Sequence, residues 1–281
     1  MSGTLYLVAT PIGNLGDISA RALEVLAGAD FIAAEDTRVT LKLLNHFGLK
    51  KPLLSYYEHN RRWSGEKILD RLSNGESCAL VTDAGTPAIS DPGEDIVRLC
   101  AQRGLSVVPI PGACAAVAAL SVSGLATGRF CFEGFLSTAR QSRAEHLNSL
   151  KTETRTIIFY EAPHKLLNTL RDLLAALGDR KLTLCRELTK LHEETLRLTL
   201  SEAVERFTET PPRGEFVLVL EGAPPASEPE LPLDAALRRM SALMESGLSR
   251  RDAAKRVGED SGWGKNLLYE RSIKGQLTVD S

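Results

Sequence analysis

The chain has 281 residues, 43% hydrophobic and 25% charged, with a formal net charge of −2, which allows two globular domains and a small appendage. That near-neutral balance carries no global basic signature for nucleic acid, so RNA contacts are expected only from a local patch. No apolar run approaches the ~20 residues of a membrane span, and residues 1–4 lack the basic and apolar regions of a signal peptide, which predicts a cytoplasmic protein.

Residues 4–9 read as a strand rich in β-formers, bounded by Gly3 and Pro11. A loop follows to Asp17, and Ser19 suits the cap of a helix with Leu23 and Leu26 inward, ending near Gly28. Residues 31–34 form a buried-strand run that stops at Glu35, Asp36, Thr37 and Arg38. A helix is predicted from about Thr40 to a stop at Gly48, with Leu41, Leu44 and Phe47 inward. Residues 52–57 read as a third strand, running into Glu58, His59, Asn60 and Arg61. Ser64 is expected to cap the next helix, with Ile68 and Leu72 inward, and residues 78–81 form a fourth strand.

The stretch from Val81 to Gly93 then stands out. Its thirteen residues hold four glycine or proline positions, Gly85, Pro87, Pro92 and Gly93, longer and more constrained than the usual ~2–6-residue connection. A strand ending in a carboxylate, then a small-residue loop, then a helix is where open α/β sheets bind ligands. Asp91 suits a helix cap and Pro92 the first helical position, for a helix to about Arg103. Residues 105–110 form the fifth strand. Pro111 and Gly112 turn into an alanine-rich helix.

The second half opens with a strand at 130–136 and a polar helix at about 140–150. A strand at 156–160 leads through Glu161 and Pro163 into a helix that Gly178 stops. Residues 182–185 and 194–200 read as strands with no helix between them. Thr199 and Glu202 fit a capping box for a helix at 202–208, and residues 216–220 form the last strand. The fold class predicted is α/β. A parallel five-stranded sheet occupies residues 1–120 and a mixed sheet 121–222. A Pro/Glu/Ser-rich linker follows at 223–233, then a helix-turn-helix-like tail at 234–281. Residues 249–274 of that tail hold seven basic against four acidic side chains.

Several chemistries lose their support. No Gly-x-Gly-x-x-Gly, P-loop, His-Glu-x-x-His or Gly-x-Ser-x-Gly motif is present. Cys78, Cys100, Cys114, Cys131 and Cys185 are dispersed, which predicts buried reduced thiols and no structural zinc site. The five histidines are scattered, so no metal catalyst is expected. The remaining candidates are the loops at the strand ends, which suit a pocket for a medium-sized ligand.

Residues 82–93, Thr-Asp-Ala-Gly-Thr-Pro-Ala-Ile-Ser-Asp-Pro-Gly, resemble the signature of the ribosomal RNA small subunit methyltransferase I family, within the tetrapyrrole-methylase-like (class III) S-adenosylmethionine methyltransferases. The similarity extends through the first loop to Asp17, through Ala34 to Arg38, and through residues 109–112, 159–161, 186–189 and 214–216. It implies two α/β domains with the donor, S-adenosylmethionine, between them, in a homodimer and without metal. The implied activity is 2′-O-methylation of a cytidine in the decoding region of small-subunit (16S) rRNA. The donor site implied comprises Asp83, Ala84, Gly85, Thr86, Ala88, Ile89, Pro111, Gly112, Ala113, Cys114, Tyr160, Glu187 and Leu188, with Pro11 completing the wall.

Two departures stand out. Pro11 and Ile12 occupy, as in the ribosomal branch, two positions of a first loop that is glycine-rich in the wider superfamily. After the third strand, Tyr57 and Arg61 replace the first and last members of the family's His-x-His-Asn-Glu-like run, leaving His59 and Asn60 as the matching pair. A ribose hydroxyl is a weak nucleophile, so a proton acceptor nearby is expected to help. Glu35, Asp36 and His59 are the candidates. The alternative for Glu35 and Asp36 is a partnership with Arg38 or a helix cap, and for His59 a substrate-positioning hydrogen bond. Arg38, Asn60 and Arg61 are candidates for RNA binding, with Arg62, Arg140 and Arg143 as further phosphate contacts. The competing functions are methylation of a small tetrapyrrole-like acceptor and a non-catalytic ribosome-binding factor.

Overall fold

The computed structural model describes residues 2–224 and 231–274. The chain divides into two compact units, Met1–Ala223 and Pro224–Ser281. The first unit opens with β1 (Thr4–Val8), α1 (Ala20–Gly28), β2 (Phe31–Ala34), α2 (Thr37–His46), β3 (Leu53–Ser55), α3 (Arg61–Ser73), β4 (Cys78–Val81), α4 (Glu94–Gln102) and β5 (Ser106–Ile110). The five strands are parallel, in the order β3-β2-β4-β1-β5. Leu5, Phe31, Leu80 and Ile96 are buried on one face, and Val8, Leu26, Ile32 and Leu44 on the other. Helices cover both faces, which is why the strands read as unbroken apolar runs. β1 and β4 are neighbours whose following connections leave in opposite directions. That reversal opens a crevice beyond their C-terminal ends.

The second half of the unit continues with α5 (Ala115–Val122), β6 (Phe130–Gly134), α6 (Arg140–Ser149), β7 (Thr156–Glu161), α7 (Pro163–Leu177), β8 (Lys181–Arg186), β9 (Glu194–Thr199), α8 (Leu200–Glu209) and β10 (Phe216–Leu220). Its sheet runs β6-β7-β10-β8-β9, with only β6 and β7 parallel. One face buries Phe159, Leu184 and Leu218 under α6, α7 and α8. The other packs Ile158, Val217 and Val219 against Ala116 and Ala119 of α5, where small side chains let helix and sheet approach closely. The Thr199–Glu202 capping box is formed, and Gly178 caps α7. All five cysteines are free thiols.

The second unit contains α9 (Leu233–Glu245), α10 (Arg250–Ser261) and α11 (Lys265–Lys274). They bury Ala236, Met240, Ala253, Val257 and Leu268 in a core of their own. Most of the expected linker, residues 225–230, and the end of the tail, residues 275–281, lie outside the described residues.

Three helix starts differ from expectation. Asp36 caps α2, which therefore begins at Thr37 rather than near Thr40, and Leu41, expected inward, is 49% exposed. Asn60 occupies the cap position of α3, so Ser64 is buried within the helix and not at its end. At α4 the cap residue is Gly93 with φ of 146°, not Asp91. A Cβ there would approach that of Ala88 to 3.0 Å, so only glycine fits the corner. Asp91 is thereby freed from the helix.

Candidate active site

The loop after β4 is stitched to its neighbours. Thr10 and Gly85 exchange two backbone hydrogen bonds of 2.9 and 3.0 Å, which joins it to the loop after β1. Thr86 Oγ1 donates to the Ala113 carbonyl at 3.0 Å, which ties it to the turn after β5. Gly112 lets that turn pass over β1, because a Cβ there would lie 2.8 Å from that of Ala9. Ala88 and Ser90 hold positive φ of 67° and 64°, a costly conformation for residues bearing a Cβ, of a kind that clusters at ligand sites.

These loops border a cavity of about 520 Å³ between the ends of the two sheets. Of the expected donor residues, Asp83, Ala84, Gly85, Thr86, Ile89, Cys114, Tyr160 and Leu188 line it, and so does Glu35. Ile12 takes the place expected of Pro11. Ala88, Pro111, Gly112 and Ala113 do not line it; Ala88 packs against Gly93, and Ala113 anchors Thr86. Glu187 also stays out. Its carboxylate accepts from the Glu215 N–H at 2.9 Å and from Lys190 Nζ at 2.9 Å, and these hold it below the ordinary range, the backbone donor first. It shapes a turn in which Glu187 and Thr189 have positive φ.

Tyr160 serves as both wall and strut. Its hydroxyl accepts the Ala116 N–H at 3.0 Å, at the start of α5, and its ring meets Phe135 edge-on at 5.6 Å. Burial, then the neighbouring Cys114, pushes it up to about 12. The cavity floor is acidic. Thr82 Oγ1 donates to Glu35 at 2.6 Å, and Asp83 accepts the Asp36 N–H at 3.1 Å. Burial raises Asp83, the Asp36 N–H opposes this, and the nearby Glu35 charge adds to the rise. Burial, with Glu35 next, pushes Asp91 up to about 6. Apolar walls with an acidic floor fit S-adenosylmethionine, which carries an aromatic base at one end and a sulfonium and ammonium at the other.

The three candidate proton acceptors separate. Glu35 lines the cavity. Asp36 does not, because its carboxylate accepts from the backbone N–H of Arg38 at 2.8 Å and from the guanidinium at 2.6 Å, which hold it at about 2. His59 is exposed and lines no described cavity, its ring edge-on to Tyr57 at 6.2 Å. Among the RNA candidates, Asn60 closes its own turn by accepting the Tyr57 N–H at 2.8 Å and donating to the Ser55 carbonyl at 3.0 Å. Arg38 is paired with Asp36 yet 86% exposed. Arg61, with Arg62 and Arg98, lines a second cavity of about 600 Å³. Asp91, Ile12 and Phe135 line the cavity although none is among the expected site residues. Asp91 was visible only as a helix cap, and the other two look like ordinary apolar positions.

The family described as Tetrapyrrole (Corrin/Porphyrin) Methylases matches residues 4–204. A uroporphyrin-III C-methyl transferase from Thermus thermophilus, solved in complex with S-adenosyl homocysteine, shares the fold. Its TM-score is 0.57 at 17% identity, over 78% of this chain and 97% of that one. The protein is thus a tetrapyrrole-type methylase by class. It is 51% identical over 273 residues to Ribosomal RNA small subunit methyltransferase I of Synechocystis sp., covering 97% of this chain and 98% of that protein. To the protein of the same name in Escherichia coli O157:H7 it is 46% identical over 277 residues, covering 98% and 96%. The chain belongs to the ribosomal RNA small subunit methyltransferase I family.

Proposed function

We propose that the protein transfers a methyl group from S-adenosylmethionine to the 2′-hydroxyl of a cytidine ribose in the decoding region of small-subunit rRNA. The observation that carries this is the acidic-floored cavity between the two sheets, which abuts a second cavity holding three arginines. Near-full-length identity to relatives named for the small-subunit RNA supports RNA as the acceptor.

When bound, the donor supplies an already activated methyl group, so the protein's task is chiefly alignment, worth up to ~7–11 kcal/mol in ideal cases. Ile12, Ile89 and Leu188 enclose the apolar part of the donor. Asp83 and Glu35 face its positive end, and Tyr160 fixes the wall opposite. Arg61, Arg62 and Arg98 hold the phosphates flanking the target nucleotide, where bidentate geometry suits arginine.

The test incubates the full chain with labelled S-adenosylmethionine and small subunits from cells lacking it, and maps the label. Label on one cytidine ribose is the expected result. Label on a base, or only on a tetrapyrrole offered in parallel, refutes the proposal. Asp83→Ala is expected to weaken donor binding at least tenfold by calorimetry.

A further inference from the structure

Asp91 lies where the two cavities meet. It lines the first with Glu35, Asp83 and Tyr160, and the second with Arg61, Arg62 and Arg98. Ser90 is the one other residue common to both linings. We propose that Asp91 accepts the proton of the acceptor hydroxyl, with the target nucleotide seated in the second cavity and the donor in the first. The inference rests on the methyl-transfer reading above.

The argument is one of position. The reacting oxygen must reach the donor's methyl carbon from the nucleotide side, so its proton acceptor must border both spaces. Ser90 has no basic form at neutral pH. Glu35 and Asp83 line only the first cavity, whereas Asp91, which like Glu35 interacts with the Thr82 hydroxyl, borders both. Asp36 is held by Arg38, and His59 lines neither space. Asp91 is held at the junction by its loop, with Ala88 and Ser90 at positive φ before it and the Gly93 corner after it.

In the step, a bond forms between the ribose oxygen and the methyl carbon while the carbon–sulfur bond breaks. The sulfur keeps that electron pair and becomes a neutral thioether, and the hydroxyl proton passes to the Asp91 carboxylate. The charged and titratable groups around Asp91 fit this role. Glu35 from the end of β2, Asp83 from its own loop and Tyr160 from β7 face it on the donor side. Glu58 before α3, Arg61, Arg62 and Glu66 on α3, and Glu94, Asp95 and Arg98 on α4 line the nucleotide side. Burial and Glu35 push Asp91 up to about 6. It is therefore ionised at neutral pH yet more basic than an ordinary carboxylate, which suits a general base.

The experiment compares Asp91→Asn and Asp91→Glu with the wild type on purified small subunits in single turnover. The asparagine variant is expected to be ~100-fold slower or more. Donor affinity by calorimetry and subunit affinity by filter binding should stay within about threefold. The wild-type kcat/KM for the donor should fall about tenfold per pH unit below about pH 6, and the variant should lose that slope. Asp91→Glu should recover part of the rate. A rate within about threefold of wild type, an unchanged pH profile, or a donor-affinity loss large enough to explain the slower rate overturns the inference. If Asp91→Asn does not fold, a wild-type profile without an inflection between about pH 5 and 7 overturns it alone. Absence of rRNA label with the wild type is a failure of the methyl-transfer reading instead, so the two are distinguishable.

Discussion

Asp36 and Asp91 are the same side chain in opposite surroundings. The Arg38 guanidinium and backbone N–H bring Asp36 down to about 2, whereas burial and the nearby Glu35 push Asp91 up to about 6. The signs for stability are opposite too. For Asp36, the stabilising charge is present above the unfolded value of 3.8 and is lost as pH falls toward 2. For Asp91, the folded state binds the proton more tightly than the unfolded state, so stability declines as pH rises from 3.8 through about 6 and stays lower above it. Keeping that ionised carboxylate at neutral pH costs roughly 1–3 kcal/mol. Asp91→Asn should therefore be more stable than wild type at pH 7.5 by about that amount and melt at a higher temperature, with the gap closing near pH 4. Calorimetric melts across that range check it, and equal melting temperatures at pH 7.5 would contradict the burial of an unpaired charge. A residue that costs stability and lies at a cavity junction is what a functional constraint produces.

The loop from Asp83 to Gly93 is the element that makes this possible. It leaves β4, zips to the first loop at Gly85, anchors on Ala113 through Thr86, and turns the corner at Gly93. Gly93→Ala combines φ of 146° with a 3.0 Å contact to Ala88, and is expected to cost about 2 kcal/mol or more. The same change should weaken donor binding, because it shifts Ala88 and the lining residues beside it. Unaltered melting and donor affinity would show that the corner is not needed. The loop's importance was legible in the sequence, since four glycine or proline positions in thirteen residues are hard to explain otherwise. So were the capping box of α8 and the glycine stop of α7, where local chemistry decides. The role of Asp91 was not, because an aspartate before a proline reads as a helix cap whether or not it becomes one. Asn60 against Ser64 was ambiguous for the same reason, as either side chain can cap a helix. Glu187 misled differently: it stands beside the lining residue Leu188, but its carboxylate is taken by the Glu215 N–H, 28 residues away, and by Lys190.

At the scale of the molecule, a nearly neutral chain must present charge locally to hold RNA. In the tail, Arg251, Lys255 and Arg256 are exposed on α10 beside Asp252, Glu259 and Asp260, and residues 249–274 carry seven basic side chains against four acidic. Ala253 and Val257 on the same helix are buried in the tail's own core with Met240 and Leu268. One face of α10 thus folds the unit while its other face is charged, with both signs exposed. Both cavities are lined entirely by residues of the first unit. These two facts separate what each unit contributes. A chain ending at Ala223 should keep its donor affinity within about twofold, because no lining residue is lost. Its affinity for small subunits should fall at least about tenfold, and the slope of log affinity against log salt should become shallower, since fewer phosphates are neutralised. Filter binding at several salt concentrations, beside donor calorimetry, measures both. Full subunit affinity with an unchanged salt slope would assign RNA binding to the arginines of the first unit alone and leave the tail's exposed cations without a role in it.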